Sequence, residues 1–142
     1  MTTENDRDRA EAQRRYFIDM NWYEGQGRSF TVLASSRLCA TSAKKKALKT
    51  DAALLKAIGQ CCSKSEGFIA PGMPLMEMVF RLFLANGNDP MTLEEVQTRL
   101  QDKLRESGDL RDISLPKLRR IIESDRYYGL RPVPSEEPEK AA

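Results

Sequence analysis

The chain has 142 residues, 40% of them hydrophobic and 31% charged, with a formal net charge of +2. That length suits one domain or two small ones, and it is long enough to bury a real core. No run of about 18 apolar residues is present, so a membrane span is not expected, and the charged stretch MTTENDRDRAEAQRR has none of the apolar character of a secretory signal.

Charge is unevenly spread. Residues 21–50 carry Arg28, Arg37, Lys44, Lys45, Lys46 and Lys49 against the single acid Glu24. Residues 91–142 are nearly balanced, with 10 basic and 11 acidic groups. There is no histidine, and the 3 cysteines, Cys39, Cys61 and Cys62, form no C-x-x-C pair. The common zinc sites and His-based catalysis are therefore not expected, and reduced thiols point to a cytoplasmic protein. As small hydrophobes the cysteines belong in the core.

Residues 1–8 are polar and should fray. A helix is expected from about Arg9 to Tyr23, because Ala10, Ala12, Tyr16, Phe17, Met20 and Tyr23 recur at helical spacing. Trp22, beside that stripe, reads as a core anchor. Gly25 and Gly27 break the helix. Ser29 is placed to cap another, carrying Phe30, Val32, Leu33, Leu38 and Cys39; a short strand over Phe30–Leu33 is the alternative, and the alanines at 34, 40 and 43 favour helix. The basic run at 43–49 is the end of that helix or a loop. It is either a solvated face or a contact for phosphate.

Thr50 or Asp51 caps a helix with Leu54, Leu55, Ile58 and Cys62 on its inner face. The Gly/Pro-rich segment 66–74 is a loop and the natural boundary between halves, pinned by Phe68 and Ile69. Leu75–Ala85 is apolar around most of its circumference and should be central. Within it Glu77 and Arg81, four apart, read as a pair that solubilises one face. Gly87 is a left-handed cap. Pro90 and Met91 are extended, and Thr92 with Glu95 forms a capping box. Leu93, Val96, Leu100 and Leu104 line that helix until Ser107–Asp109. Leu110–Ile113 is a turn or a single strand. Ser114 caps a third helix, with Pro116 in its first turn, Leu115, Leu118, Ile121 and Ile122 facing inward, and Lys117, Arg119 and Arg120 elsewhere. Tyr127 and Tyr128 favour strand, with room for one strand and little return. Residues 133–142 are Pro- and Glu-rich and should be disordered.

The apolar helix from Leu75, the capped Pro-Met-Thr-Leu-Glu-Glu-Val run at 90–96 and the Ile113-Ser114 opening of the third helix carry a resemblance. Segment 75–132 resembles the winged helix-turn-helix superfamily, and within it the small modules of RNA polymerase accessory subunits and chromatin-associated proteins. The expected fold is a mainly α bundle: an N-terminal helical region (1–70) packed on the core, a winged-helix-like unit with a short β-wing (71–132), and a disordered tail. The resemblance implies that the third helix enters the major groove with Ser114, Lys117, Arg119 and Arg120, and that Arg126 and Arg131 flank the wing and contact phosphate. Lys44, Lys45, Lys46 and Lys49 would join them if they share that face.

The function expected first is therefore binding of DNA or RNA in transcription. The alternative is a protein-interaction module or homodimer, built on Met73, Met76, Met78, Phe80 and Phe83. No catalytic residues, cofactor or metal ligands are expected, since no Gly-rich phosphate loop or nucleophile motif is present. The adjacent acids Glu94 and Glu95 are explained by capping.

Overall fold

The computed structural model of the chain describes residues 14–44, 50–65, 67–70 and 72–134. They form a mainly helical fold with one small antiparallel sheet. In chain order the elements are β1 (Arg15–Ile18), α1 (Met20–Gly25), α2 (Phe30–Ser35), α3 (Ala40–Ala43), α4 (Asp51–Gln60), a 3-10 turn at Cys62–Lys64, α5 (Leu75–Ala85), β2 (Met91–Thr92), α6 (Leu93–Ser107), α7 (Leu115–Glu123) and β3 (Leu130–Pro132). Among the described residues no helix is long and apolar enough to cross a membrane.

α5 is the central helix, with Met78, Val79, Phe80, Leu82, Phe83 and Leu84 buried. It packs against α4 through Leu54 and Ile58 and against α6 through Val96 and Leu100. α6 in turn supports α7, whose Leu118 and Ile122 complete the core. The stops of these helices lie where sequence places them. The Thr92 side chain accepts from Glu95 N–H (3.2 Å) and the Glu95 side chain accepts from Thr92 N–H (2.8 Å), closing the capping box. At the end of α5, Gly87 has φ +69°, its N–H reaches Leu84 O, and Asn88 N–H reaches Phe83 O, the pattern of a Schellman cap. Phe68 is buried and Ile69 half-buried, so they pin the loop before α5.

The region before residue 44 departs from expectation. The long helix expected from Arg9 to Tyr23 is absent from its described part (residues 9–13 lie outside the described residues). Arg15–Ile18 is a strand, and only Met20–Gly25 is helical, capped by the Asp19 carboxylate. The strand wins because it has partners on both sides. β1 is the middle strand, pairing antiparallel with β2 (Tyr16 opposite Met91) and with β3 (Phe17 opposite Arg131, Ile18 opposite Leu130). Tyr16 and Ile18 point into the core. The Asn88 side-chain amide extends the β2 edge by bonding both Ile18 N–H (2.8 Å) and Ile18 O (2.9 Å). The strand expected at Tyr127 and Tyr128 is not formed there: those residues lie in a bend, and a strand, β3, follows only at Leu130–Pro132. It is closed onto β1 and is not half of a projecting hairpin, so the expected wing is a third sheet strand.

The helix expected from Ser29 is capped as expected, Ser29 Oγ accepting from Val32 N–H, but it breaks into α2 and α3. Ser36 Oγ donates to Leu33 O, and Arg37 turns inward toward α5, so the chain leaves the helical path there. Leu110–Ile113 has no regular structure.

Candidate nucleic-acid interface

Burial of Leu118 and Ile122 sets the outer face of α7. Arg120 is exposed there, and Lys117 and Arg119 are half-buried. Ser114 occupies the cap position without a side-chain cap bond, and its N–H donates instead to Asp112 Oδ1 (2.9 Å). That backbone bond, a further bond from the Ser114 side chain and the positive charges of Lys117 and Arg120 hold the Asp112 carboxyl below its ordinary range. Asp112 therefore sits among the cations that would meet phosphate. Arg119 is engaged within the chain.

After α7 the chain is organised by Asp125, which is 7% exposed. Its Oδ1 accepts from Tyr127 N–H (3.0 Å) and Tyr128 N–H (2.9 Å), and its Oδ2 from Leu130 N–H (2.9 Å). One carboxylate thus fixes the whole loop 126–130. Arg131 closes it from the other end: its Nη1 donates to Asp125 O (2.9 Å) and Leu130 O (2.6 Å) and lies 3.8 Å from Asp125 Oδ2. Arg131, expected from sequence to contact phosphate, thus spends Nη1 on the loop.

The loop rests on α1. Asp19 N–H reaches Gly129 O, and Tyr23 Oη donates to Tyr128 O (2.5 Å). Gly129 has φ +80°, and a Cβ there would meet Tyr23 Cε2 at 2.7 Å and Trp22 Cε3 at 3.0 Å. On the buried side, Tyr128 Oη donates to Glu77 Oε1 (2.8 Å). Glu77 is not the surface acid expected from its spacing with Arg81. It is 9% exposed and also accepts from Arg37 Nε (2.9 Å), Arg37 Nη2 (2.6 Å) and Arg81 Nε (2.8 Å). Burial alone would raise its pKa, but the hydrogen bonds from Arg37, Arg81 and Tyr128 outweigh it and bring the carboxyl down to about 2. Burial and the bond to Glu77 push the Tyr128 phenol up.

Where α1 meets this loop, cations and aromatic rings alternate. Arg28 Cζ lies 4.4 Å from the Tyr127 ring centre and 5.6 Å from that of Trp22, and Arg131 Cζ lies 5.2 Å from Trp22. Arg28 Nη1 also donates to Tyr127 O (2.8 Å). The Tyr127 ring is held edge-on by Tyr128, and the residue as a whole is 48% exposed. Arg126, beside it, is exposed. Such contacts are worth roughly 0.5–1 kcal/mol each at exposed sites.

Of the residues singled out from sequence, Arg131 lies at this surface and Arg126 adjoins Tyr127 in the chain, while Lys117 and Arg120 of α7 act on Asp112, which precedes that helix. Lys44 is exposed at the end of α3, and Lys45, Lys46 and Lys49 lie outside the described residues. Trp22, Arg28 and Tyr127 were not singled out as ligand contacts. Their only sequence signals are the glycine-flanked Arg28 and the Tyr-Tyr-Gly run, and neither reveals the other. Comparison of the chain with protein-family models, with curated proteins and with solved structures returns no match.

Proposed function

We propose that the protein binds nucleic acid, and that it does so through unpaired bases at the Trp22–Arg28–Tyr127–Arg131 surface. The observation that carries this reading is the alternation of two guanidinium groups with Trp22 and the half-exposed Tyr127 on a rigid loop. Aromatic rings and arginine planes are the groups on which splayed-out bases stack, and stacking tolerates any base. Arg126, Lys117 and Arg120 supply charge for the phosphates that follow. Duplex reading by α7 in a major groove is less well supported, because Lys117 and Arg119 are half-buried and Asp112 competes for the cations. A role in transcription and a cytoplasmic location remain part of this reading. The second fits three free thiols.

Exposed Tyr and Arg are also the residue types of protein hot spots, so a protein partner is the second reading. Fluorescence anisotropy with labelled single-stranded and duplex probes separates the two. The expected result is single-strand affinity above duplex affinity, falling steeply between about 50 and 200 mM salt. Absence of binding to either probe at the lower salt overturns the nucleic-acid reading.

A further inference from the structure

The three cysteines, scattered at positions 39, 61 and 62, converge where α3 begins and α4 ends. Cys39 Sγ lies 3.4 Å from Cys61 Sγ, and Cys39 N–H donates to Cys62 Sγ (3.0 Å). Cys39 and Cys61 are half-exposed, whereas Cys62 is fully buried. Ser42, one turn on from Cys39, is buried beside them. Among the described residues no group of three or more His, Cys, Asp or Glu is arranged to hold a metal ion.

From this geometry we infer that Cys39 and Cys61 are a peroxide-oxidisable dithiol, Cys39 being the thiol oxidised first, Cys61 resolving it and Cys62 remaining reduced. The inference is independent of the nucleic-acid reading. Sulfurs 3.4 Å apart, half-exposed and carried on separate segments are near enough to be drawn into a bond. Adjacent Cys61 and Cys62 are poorly placed for each other, and Cys62 is shielded from solvent.

The order of events follows from the surroundings of each sulfur. The backbone N–H of Ser42, then its side chain and Cys62, stabilise the Cys39 thiolate and bring its pKa down to about 6. Burial pushes the Cys62 thiol the other way. A thiolate that is accessible and has a resolving thiol beside it is the arrangement of redox-sensing cysteines. In the first step the Cys39 thiolate attacks one oxygen of hydrogen peroxide. An S–O bond forms, the O–O bond breaks, sulfur loses two electrons to the peroxide, and the second oxygen leaves as hydroxide. In the second step the Cys61 sulfur attacks the Cys39 sulfenic sulfur. The S–S bond forms, the S–O bond breaks, and the hydroxyl leaves with the Cys61 proton as water. The bridge pins α3 to the end of α4 and closes a loop that contains the lysines at 44–46 and 49.

The test uses the full reduced chain, titrated with hydrogen peroxide under native conditions and then alkylated. One equivalent should lower the free thiol count from three to one, with Cys62 the alkylated residue and Cys39 joined to Cys61 in the peptide map. In Cys61→Ser the sulfenic acid should persist on Cys39 and be trapped by dimedone, a cyclic diketone, and Cys39→Ser should show neither trapping nor a bridge. Oxidation of the native chain should slow about tenfold per pH unit below about 6, as the Cys39 thiolate is protonated. A Cys61–Cys62 bridge, a bridge between two chains, or three alkylatable thiols after treatment would each overturn the assignment.

Discussion

Burying the Glu77 carboxylate takes a charge out of water, and four hydrogen bonds from Arg37, Arg81 and Tyr128 compensate for it. Removing one partner from such a cluster leaves the others uncompensated, so Glu77→Gln should cost about 3–5 kcal/mol in denaturant unfolding. The pH dependence has a definite sign. The Glu77 pKa is depressed on folding, from 4.5 to about 2. Its contribution is therefore fully present above about pH 4.5 and is lost as pH falls toward 2. Urea titrations across that window should show the loss in the native chain and a much flatter profile in Glu77→Gln. Gly129 makes a second point at this scale. It combines φ +80° with ring atoms of Tyr23 and Trp22 within 3.0 Å of where a Cβ would sit. Gly129→Ala should then destabilise by about 2–4 kcal/mol, read as a shift in the urea midpoint. Spacing rules placed Glu77 and Arg81 on one face but could not say whether that face meets solvent. Arg37 and Tyr128, which decide it, lie 40 and 51 residues away.

At the scale of elements, what could be read locally was read well. α4 to α6 are bounded by devices within a few residues of their ends: Thr50, the Thr92/Glu95 box, Gly87 and Gly108. β1 was not legible for a physical reason. Four residues fix no period, and Tyr16, Phe17 and Met20 suit a helix as well as a strand. Strand geometry is imposed by Met91, Asn88 and Leu130, which supply hydrogen bonds from segments 70 or more residues on. Short strands are governed by such context more than by propensity. A chain starting at Asp19 should therefore lose more than a frayed end. β2 and β3 would be left without their shared partner, and Tyr16 and Ile18 would leave the core. A cooperative melt much lower than that of the full chain is expected by circular dichroism, and an unchanged melting temperature would show that β1 adds nothing.

For the whole molecule, the candidate surface is assembled from parts about 100 residues apart. Arg28 donates to Tyr127 O across a separation of 99 positions, and Asp125 holds the receiving loop in shape. This is why the cations of α7 could be picked out from sequence and the Trp22–Arg28–Tyr127 alternation could not. A pattern search sees neighbours on one element, whereas this surface joins α1, the turn after it and the segment before β3. The net charge of +2 neither drives nor forbids binding to a polyanion, so local chemistry has to decide. The single tryptophan, Trp22, lies in the surface itself and reports on it directly. The most direct measurement is a titration of Trp22 fluorescence with a single-stranded oligonucleotide, in the native chain, Tyr127→Ala and Arg126→Glu, at several salt concentrations. Saturable quenching is expected in the native chain, with about tenfold weaker binding in Tyr127→Ala and a salt slope smaller by about 1 in Arg126→Glu. Unquenched fluorescence, or quenching indifferent to both substitutions and to salt, would contradict the proposed function.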